Sequence, residues 1–166
     1  SMPERLLIVG GTGFIGSHLA ARAVKSGFDT LVLSLNPPAK ERKVDGVSYI
    51  SADVSNYIEL KNKLPKKSFD YVVNLSGYID HSSFLDGGSQ TIDTHFGGVK
   101  NLVNLIDWEN LKRFVEIGSS DEYGNHPAPQ NEEMPSYPIS PYSFSKSASI
   151  QLLKMLHRTE SFPARM

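Results

Sequence analysis

Residues 6–16 read Leu6-Leu7-Ile8-Val9-Gly10-Gly11-Thr12-Gly13-Phe14-Ile15-Gly16. The four apolar residues, stopped by glycine, have the length and pattern of a buried strand. After the glycines, Ile15, Leu19, Ala23 and Val24 fall on one face of a helix, and Gly27 is placed to end it as a C-terminal cap. Strand, glycine loop and helix in that order open a βαβ unit. Glycines at 10, 13 and 16 allow a tight turn, clear side chains from a phosphate's approach and let helix pack closely on strand. The helix N-terminus adds unpaired N–H groups and the positive end of a dipole. In that context the loop fits a dinucleotide pyrophosphate. A nucleoside-triphosphate loop is excluded, because no Gly-Lys-Ser/Thr follows. Gly97-Gly98-Val99-Lys100 does not supply one either, since it falls inside a helical pattern.

Outward from this stretch the same strand signature recurs at residues 31–35, 47–50, 71–75 and 114–117. Ile92, Phe96, Val99, Val103 and Ile106 step by four, three, four and three, the period of an amphipathic helix. Ile150, Leu153, Met155 and Leu156 predict another, opening near Pro141. Buried strands alternating with helices imply a parallel sheet with right-handed crossovers. Residues 127–141, rich in proline, read as a long loop that feeds a helix, and residues 162–166 as the entry to a sixth strand left incomplete. There is no internal repeat. Ser1 ahead of Met2 reads as a cloning remnant, and residues 3–166 as one domain.

Composition narrows the class. The 166 residues are 39% hydrophobic, enough for one sizeable core. Seventeen Lys and Arg against 18 Asp and Glu leave a formal charge of −1, which argues against nucleic acid or anionic lipid held by bulk electrostatics. No apolar run has a membrane span's length, and the absence of cysteine excludes disulfides and thiolate metal sites. The five histidines show no ligand spacing, so no metal is expected. The expectation is a soluble, cytoplasmic protein.

Tyr142-Ser143-Phe144-Ser145-Lys146 sets a phenol and an ammonium four residues apart, on one helix face a turn apart. A neighbouring cation favours phenolate, which suits a group that exchanges protons. Ser119 and Ser120 follow the fifth strand, at the sheet edge where ligands of open α/β folds bind.

Gly10–Gly16, Asp53-Val54, Asn74-Leu75-Ser76-Gly77, Ser119-Ser120-Asp121-Glu122-Tyr123-Gly124 and Tyr142–Lys146 occur in the order found in extended short-chain dehydrogenases/reductases. More narrowly, the chain resembles the NAD-dependent epimerase/dehydratase family, which acts largely on nucleotide-linked sugars. The resemblance spans nearly the whole chain. It implies a Rossmann-type α/β fold, a doubly wound parallel sheet, with most of the substrate-binding lobe beyond Met166. It implies Tyr142 as acid/base, Lys146 as holder of the nicotinamide ribose, and Ser119 as the catalytic hydroxyl. It also places Gly10, Gly13, Phe14, Ile15 and Gly16 at the pyrophosphate, Asp53 and Val54 at the adenine, and Leu75, Ser76 and Gly77 along the cofactor trough. Asp53 is equally suited to capping the next helix. A homodimer through a four-helix bundle is also implied.

Two positions depart from the family pattern. Ser34 stands where an Asp often ends the second strand, and His95 where Asn is usual; a structural helix histidine is the expectation there. Loss of the carboxylate removes repulsion of a 2′-phosphate, Ser34 offers a hydroxyl donor, and Lys40, Arg42 and Lys43 follow closely. The cofactor is therefore NAD(P), with the balance tipped to NADP. Asp121 lies two residues beyond Ser119, where related dehydratases carry a Glu that assists water loss. The order of readings is epimerase, then dehydratase, then keto-sugar reductase. A ketoreductase of non-sugar carbonyls and a non-catalytic dinucleotide-binding module stay open as alternatives, although the Tyr142/Lys146 pair weighs against the latter.

Overall fold

The computed structural model describes residues 2–77, 80–117 and 138–166, with residues 122–123 and 126–127 described for their backbone alone. The strands are β1 (Arg5–Val9), β2 (Asp29–Ser34), β3 (Ser48–Ser51), β4 (Tyr71–Asn74), β5 (Arg113–Glu116), β6 (Glu122–Tyr123), β7 (His126–Pro127) and β8 (Ala164–Arg165). The α-helices are α1 (Phe14–Lys25), α2 (Tyr57–Lys63), α3 (Gly88–Ile92), α4 (Gly98–Leu105) and α5 (Pro141–Glu160). Six strands form one sheet in the order β3-β2-β1-β4-β5-β8, every pairing parallel. The short sixth strand is thus formed, β8 pairing Ala164 with Phe114. Strands β6 and β7 form a separate antiparallel pair, where the proline-rich loop was expected to begin.

The strands are apolar on both faces because helices lie on both. Leu7, Val9, Leu33, Val72 and Phe114 pack with Leu60 of α2, Leu102 of α4 and Leu153 of α5. Leu6, Ile8 and Val32 pack on the other side with Ala20 and Ala23 of α1. Helix α1 ends as its sequence implies. Gly27 takes φ +89°, its N–H donates to Val24 O, and Phe28 N–H donates to Ala23 O, a Schellman closure.

The amphipathic pattern from Ile92 to Ile106 meets a correction. Helix α3 begins at Gly88, and a π-helical turn over Asp93–Gly97 separates it from α4. The wider turn rotates the helix face, so Thr91, His95 and Gly98 turn inward while Ile92 and Phe96 are only half-buried. A run of regular spacing cannot reveal that extra residue.

Strand order reverses at β1: β2 and β3 lie on one side, β4 and β5 on the other. Val9 and Asn74 are paired at the carboxyl ends of β1 and β4, and the crevice beyond such a reversal is where open α/β sheets take ligands.

Candidate active site

That crevice is a cleft of about 410 Å³ lined by Gly10, Thr12, Ser34, Asp53, Ser76 and Gly77, among others. Gly10 turns the chain with φ +79°, and its N–H donates to Leu33 O at 2.6 Å. A Cβ at Gly10 would lie 2.8 Å from Ser76 N, and one at Gly16 only 2.4 Å from Gly11 Cα. A Cβ at Gly13 would meet nothing nearer than the Arg42 guanidinium at 4.0 Å. Two of the glycines therefore let backbones meet, and the third leaves open space before the first turn of α1, whose N-cap Gly13 makes no side-chain cap. These features fit a dinucleotide: bare backbone, an uncapped helix N-terminus, and a cleft running from the loop to Asp53.

At the far end, Val54 is buried against α4: a Cβ on Gly98 would come within 2.8 Å of its Cγ2, and Asn101 Nδ2 donates to Val54 O at 2.8 Å. Asp53 does not cap α2. Its Oδ1 accepts from Ser55 N and Oγ at 2.9 and 2.7 Å, and Asn56 caps the helix by accepting from Glu59 N. An Asx turn fits because Asp53 stands three residues before the N-cap position. Ser34 also corrects an expectation. Its hydroxyl donates to Asn36 O at 2.7 Å, so that proton is already committed within the chain. Arg42 instead brings positive charge to the glycine loop, its guanidinium carbon 6.0 Å from the Phe14 ring centroid. Gln90 and Thr94, which the sequence did not single out, line the cleft from α3 and the π turn.

Helix α5 begins where its chemistry needs it. Ser140 caps it, accepting from Ser143 N at 3.1 Å while Ser143 Oγ accepts from Ser140 N, and Pro141 occupies the first turn. Tyr142 and Lys146 thereby fall one turn apart. A Cβ on Gly88 would lie 2.4 Å from Pro141 Cγ, so α3 reaches α5 closely only with glycine there. This approach sets the buried His95 ring edge-on to Tyr142, centroids 5.6 Å apart. The histidine is in a helical segment as expected, and it also touches the tyrosine, a contact no spacing disclosed.

Lys146 is buried and lies 3.8 Å from Glu116 Oε2, at the end of β5. Glu116 Oε1 accepts from Asn74 Nδ2 at 2.7 Å, and Asn74 Oδ1 in turn accepts from Ser76 N at 3.0 Å and from Ser76 Oγ. Burial pushes the Glu116 carboxyl up to about 7, opposed by the Lys146 charge and the Asn74 hydrogen bond. Burial lowers the Lys146 ammonium pKa, and Glu116 opposes that shift. Glu116 was missed in sequence. The signal was an acidic residue inside the apolar run 114–117 of a buried strand.

Ser119 and Asp121 lie outside the described residues, as does Ser120, and nothing is described of the Glu122 side chain. Among the described residues no group of acidic and histidine side chains is arranged to hold a metal ion, and no helix is long and apolar enough to cross a membrane.

The model of the NAD dependent epimerase/dehydratase family matches residues 6–165. Among curated proteins, the chain is 24% identical over 156 residues to a putative UDP-glucose 4-epimerase of Methanocaldococcus jannaschii, covering 92% of this chain and 51% of that protein. It is 27% identical over 180 residues to dTDP-glucose 4,6-dehydratase of Haemophilus influenzae, covering 95% and 53%. Among solved structures, UDP-glucose 4-epimerase of Thermus thermophilus in complex with NAD has the same fold, with a TM-score of 0.72 at 21% identity over 96% of this chain and 53% of that one. The chain thus spans about half the length of the proteins it matches.

Proposed function

The chain belongs to the NAD dependent epimerase/dehydratase family, and from that premise we propose that it is the NAD(P)-binding part, residues 3–166, of a cytoplasmic nucleotide-sugar epimerase working through a transient keto-sugar. The observation that carries this reading is convergence. The glycine loop, Asp53, Val54 and Leu75–Gly77 line or border one cleft at the strand reversal, and a buried polar chain from Ser76 leads to Lys146, a turn from Tyr142. Epimerase and dehydratase relatives both support a sugar nucleotide as substrate.

Gly10, Gly13, Phe14, Ile15 and Gly16 would hold the pyrophosphate, Asp53 and Val54 the adenine, and Leu75, Ser76 and Gly77 the trough between adenine and nicotinamide. A bound nicotinamide supplies reversible hydride acceptance at the sugar carbon. Tyr142 takes the hydroxyl proton as the carbonyl forms and returns it when the carbonyl is reduced. Lys146 stabilises the phenolate and donates to the ribose. Ser119 orients the sugar oxygen. If water is lost instead, Asp121 manages its proton, which makes dehydration the second reading.

Mass spectrometry of small molecules retained by the complete protein, followed by turnover of the matching nucleotide sugars, tests this. Interconversion of sugar epimers is expected. A protein that retains a dinucleotide but turns over no sugar nucleotide overturns the reading in favour of a non-catalytic dinucleotide-binding module, and a 4-keto product that accumulates reassigns it to dehydration.

The cofactor reading keeps NADP slightly ahead on the absence of a carboxylate at Ser34 and the presence of Arg42 at the loop. The NAD bound in the Thermus thermophilus relative weighs the other way. Ser34→Asp is expected to weaken NADP binding about tenfold, or 1.4 kcal/mol, and to leave NAD binding equal or better. Calorimetric titration of both cofactors decides it, and a tenfold preference for NAD in the wild type rejects NADP.

Phe144 and Met155 are exposed on α5 at 46% and 45%, surface suited to a second copy in a four-helix bundle. Light scattering is expected to give twice the 18.3 kDa chain mass, and a monomer at micromolar concentration rejects the bundle.

A further inference from the structure

We infer that Glu116 is the positioning residue for Lys146, its buried counter-charge beneath the cleft, tied through Asn74 to Ser76 in the cleft wall. The inference rests on the acid/base reading of Tyr142 and Lys146 above and deepens it. An ammonium as enclosed as Lys146, 8% exposed, has lost most of its hydration, and a group so placed sheds its proton unless an opposite charge is near. Glu116, 6% exposed, is that charge. It is itself held, because Asn74 donates to one carboxylate oxygen at 2.7 Å while the other faces Lys146 at 3.8 Å. The separation is that of an ion pair without a hydrogen bond, so the contact does not consume the N–H donors that a ribose would need.

The pairing depends on register. Glu116 and Asn74 are partners across β4 and β5, so an acid one residue earlier or later would point to the opposite sheet face. The Lys146 charge on α5 acts on Glu116, and the Glu116 charge acts on Lys146. Tyr142 stands one turn back on α5 with the His95 ring of the π turn edge-on to it, and His95 in turn contributes to lowering the Asp80 carboxyl pKa.

The pair titrates as a unit. With the Glu116 carboxyl raised to about 7, the folded protein keeps a proton that the unfolded chain releases in the ordinary carboxylate range. Glu116's contribution to stability is therefore full below that range and falls as pH rises towards 7. Above 7 the carboxylate is charged and supports the lysine's proton; below it Lys146 stands beside a neutral acid.

The test is ¹³C NMR titration of the ligand-free chain labelled at lysine Cε and glutamate Cδ, with Lys146→Arg and Glu116→Gln assigning the signals. Lys146 Cε and Glu116 Cδ are expected to share an inflection near neutral pH. Glu116→Gln, which keeps the side-chain shape and an oxygen for Asn74, is expected to abolish that inflection and to move the lysine midpoint down by at least one pH unit, tenfold in acidity. Glu116→Asp, which keeps the charge, is expected to restore part of that shift. An unchanged Lys146 midpoint in folded Glu116→Gln overturns the inference. So does a wild-type Glu116 that titrates in the ordinary range without a mark on Lys146, a result that requires no variant to fold. Neither readout uses substrate or cofactor, so failure here is separable from failure of Tyr142 as acid/base.

Discussion

Replacing Tyr142 with phenylalanine lowers turnover of the nucleotide sugar about 100-fold or more, the size of a lost general acid/base, while dinucleotide affinity stays within a few-fold. The substitution removes one oxygen and keeps the ring that meets His95 edge-on at 5.6 Å, which preserves that contact between the π turn and α5. The phenol sits in the first turn of a helix fixed by Ser140, Ser143 and Pro141, none of which is altered. The residues assigned to the dinucleotide lie mainly on the loops after β1, β3 and β4, away from the deleted atom. Loss of rate with retained affinity is thus the pattern expected when an interaction made in the transition state is deleted. Initial rates on the complete, active protein, with cofactor binding titrated in parallel, provide the measurement. Unchanged turnover would remove Tyr142 from the chemistry, whereas equal losses of rate and affinity would make it a structural residue of α5.

Much of this site was legible because it is local. A glycine loop between a four-residue apolar run and an amphipathic helix carries its own geometry, and the four-residue step from Tyr142 to Lys146 fixes a shared helix face. The features that were not legible are those that depend on which elements become neighbours. Glu116 reads as an ordinary acid until β5 lies beside β4 and under α5; only then does it meet both Asn74 and Lys146. The π turn at Asp93–Gly97 inserts its extra residue without interrupting the apolar spacing, so His95 gave no sign of facing Tyr142. Ser34 was readable as the end of β2, but whether its hydroxyl pointed at a ligand or at Asn36 O depended on the turn that follows. Asp53 was equally open to a helix-cap reading because the sequence offers three side chains able to cap within four residues, Asp53, Ser55 and Asn56, and Asn56 takes that place.

The glycine loop permits a sharper test, because its glycines serve different ends. Gly16→Ala is expected to destabilise the ligand-free chain by about 1–3 kcal/mol, the usual cost of forcing extra volume into packed structure. Its new Cβ would sit 2.4 Å from Gly11 Cα and 2.7 Å from Gly11 O, and those are backbone atoms that cannot rotate aside. Helix α1 would have to lift off the loop, which in a chain of this size lowers the melting temperature by several degrees. Gly13→Ala behaves differently. Its Cβ would meet only the end of the Arg42 side chain, at 4.0 Å, and the backbone there is extended with φ −82°, which alanine adopts without strain. The ligand-free melting temperature should therefore be unchanged. Affinity for the dinucleotide should nonetheless fall about tenfold or more, since the methyl enters the space through which a phosphate reaches the first N–H groups of α1. Thermal melts of both variants without ligand, paired with calorimetric titration, separate the two effects. A Gly13→Ala protein that binds dinucleotide as tightly as the wild type would place the pyrophosphate elsewhere, and a Gly16→Ala protein as stable as the wild type would show that α1 does not need its close approach to the loop.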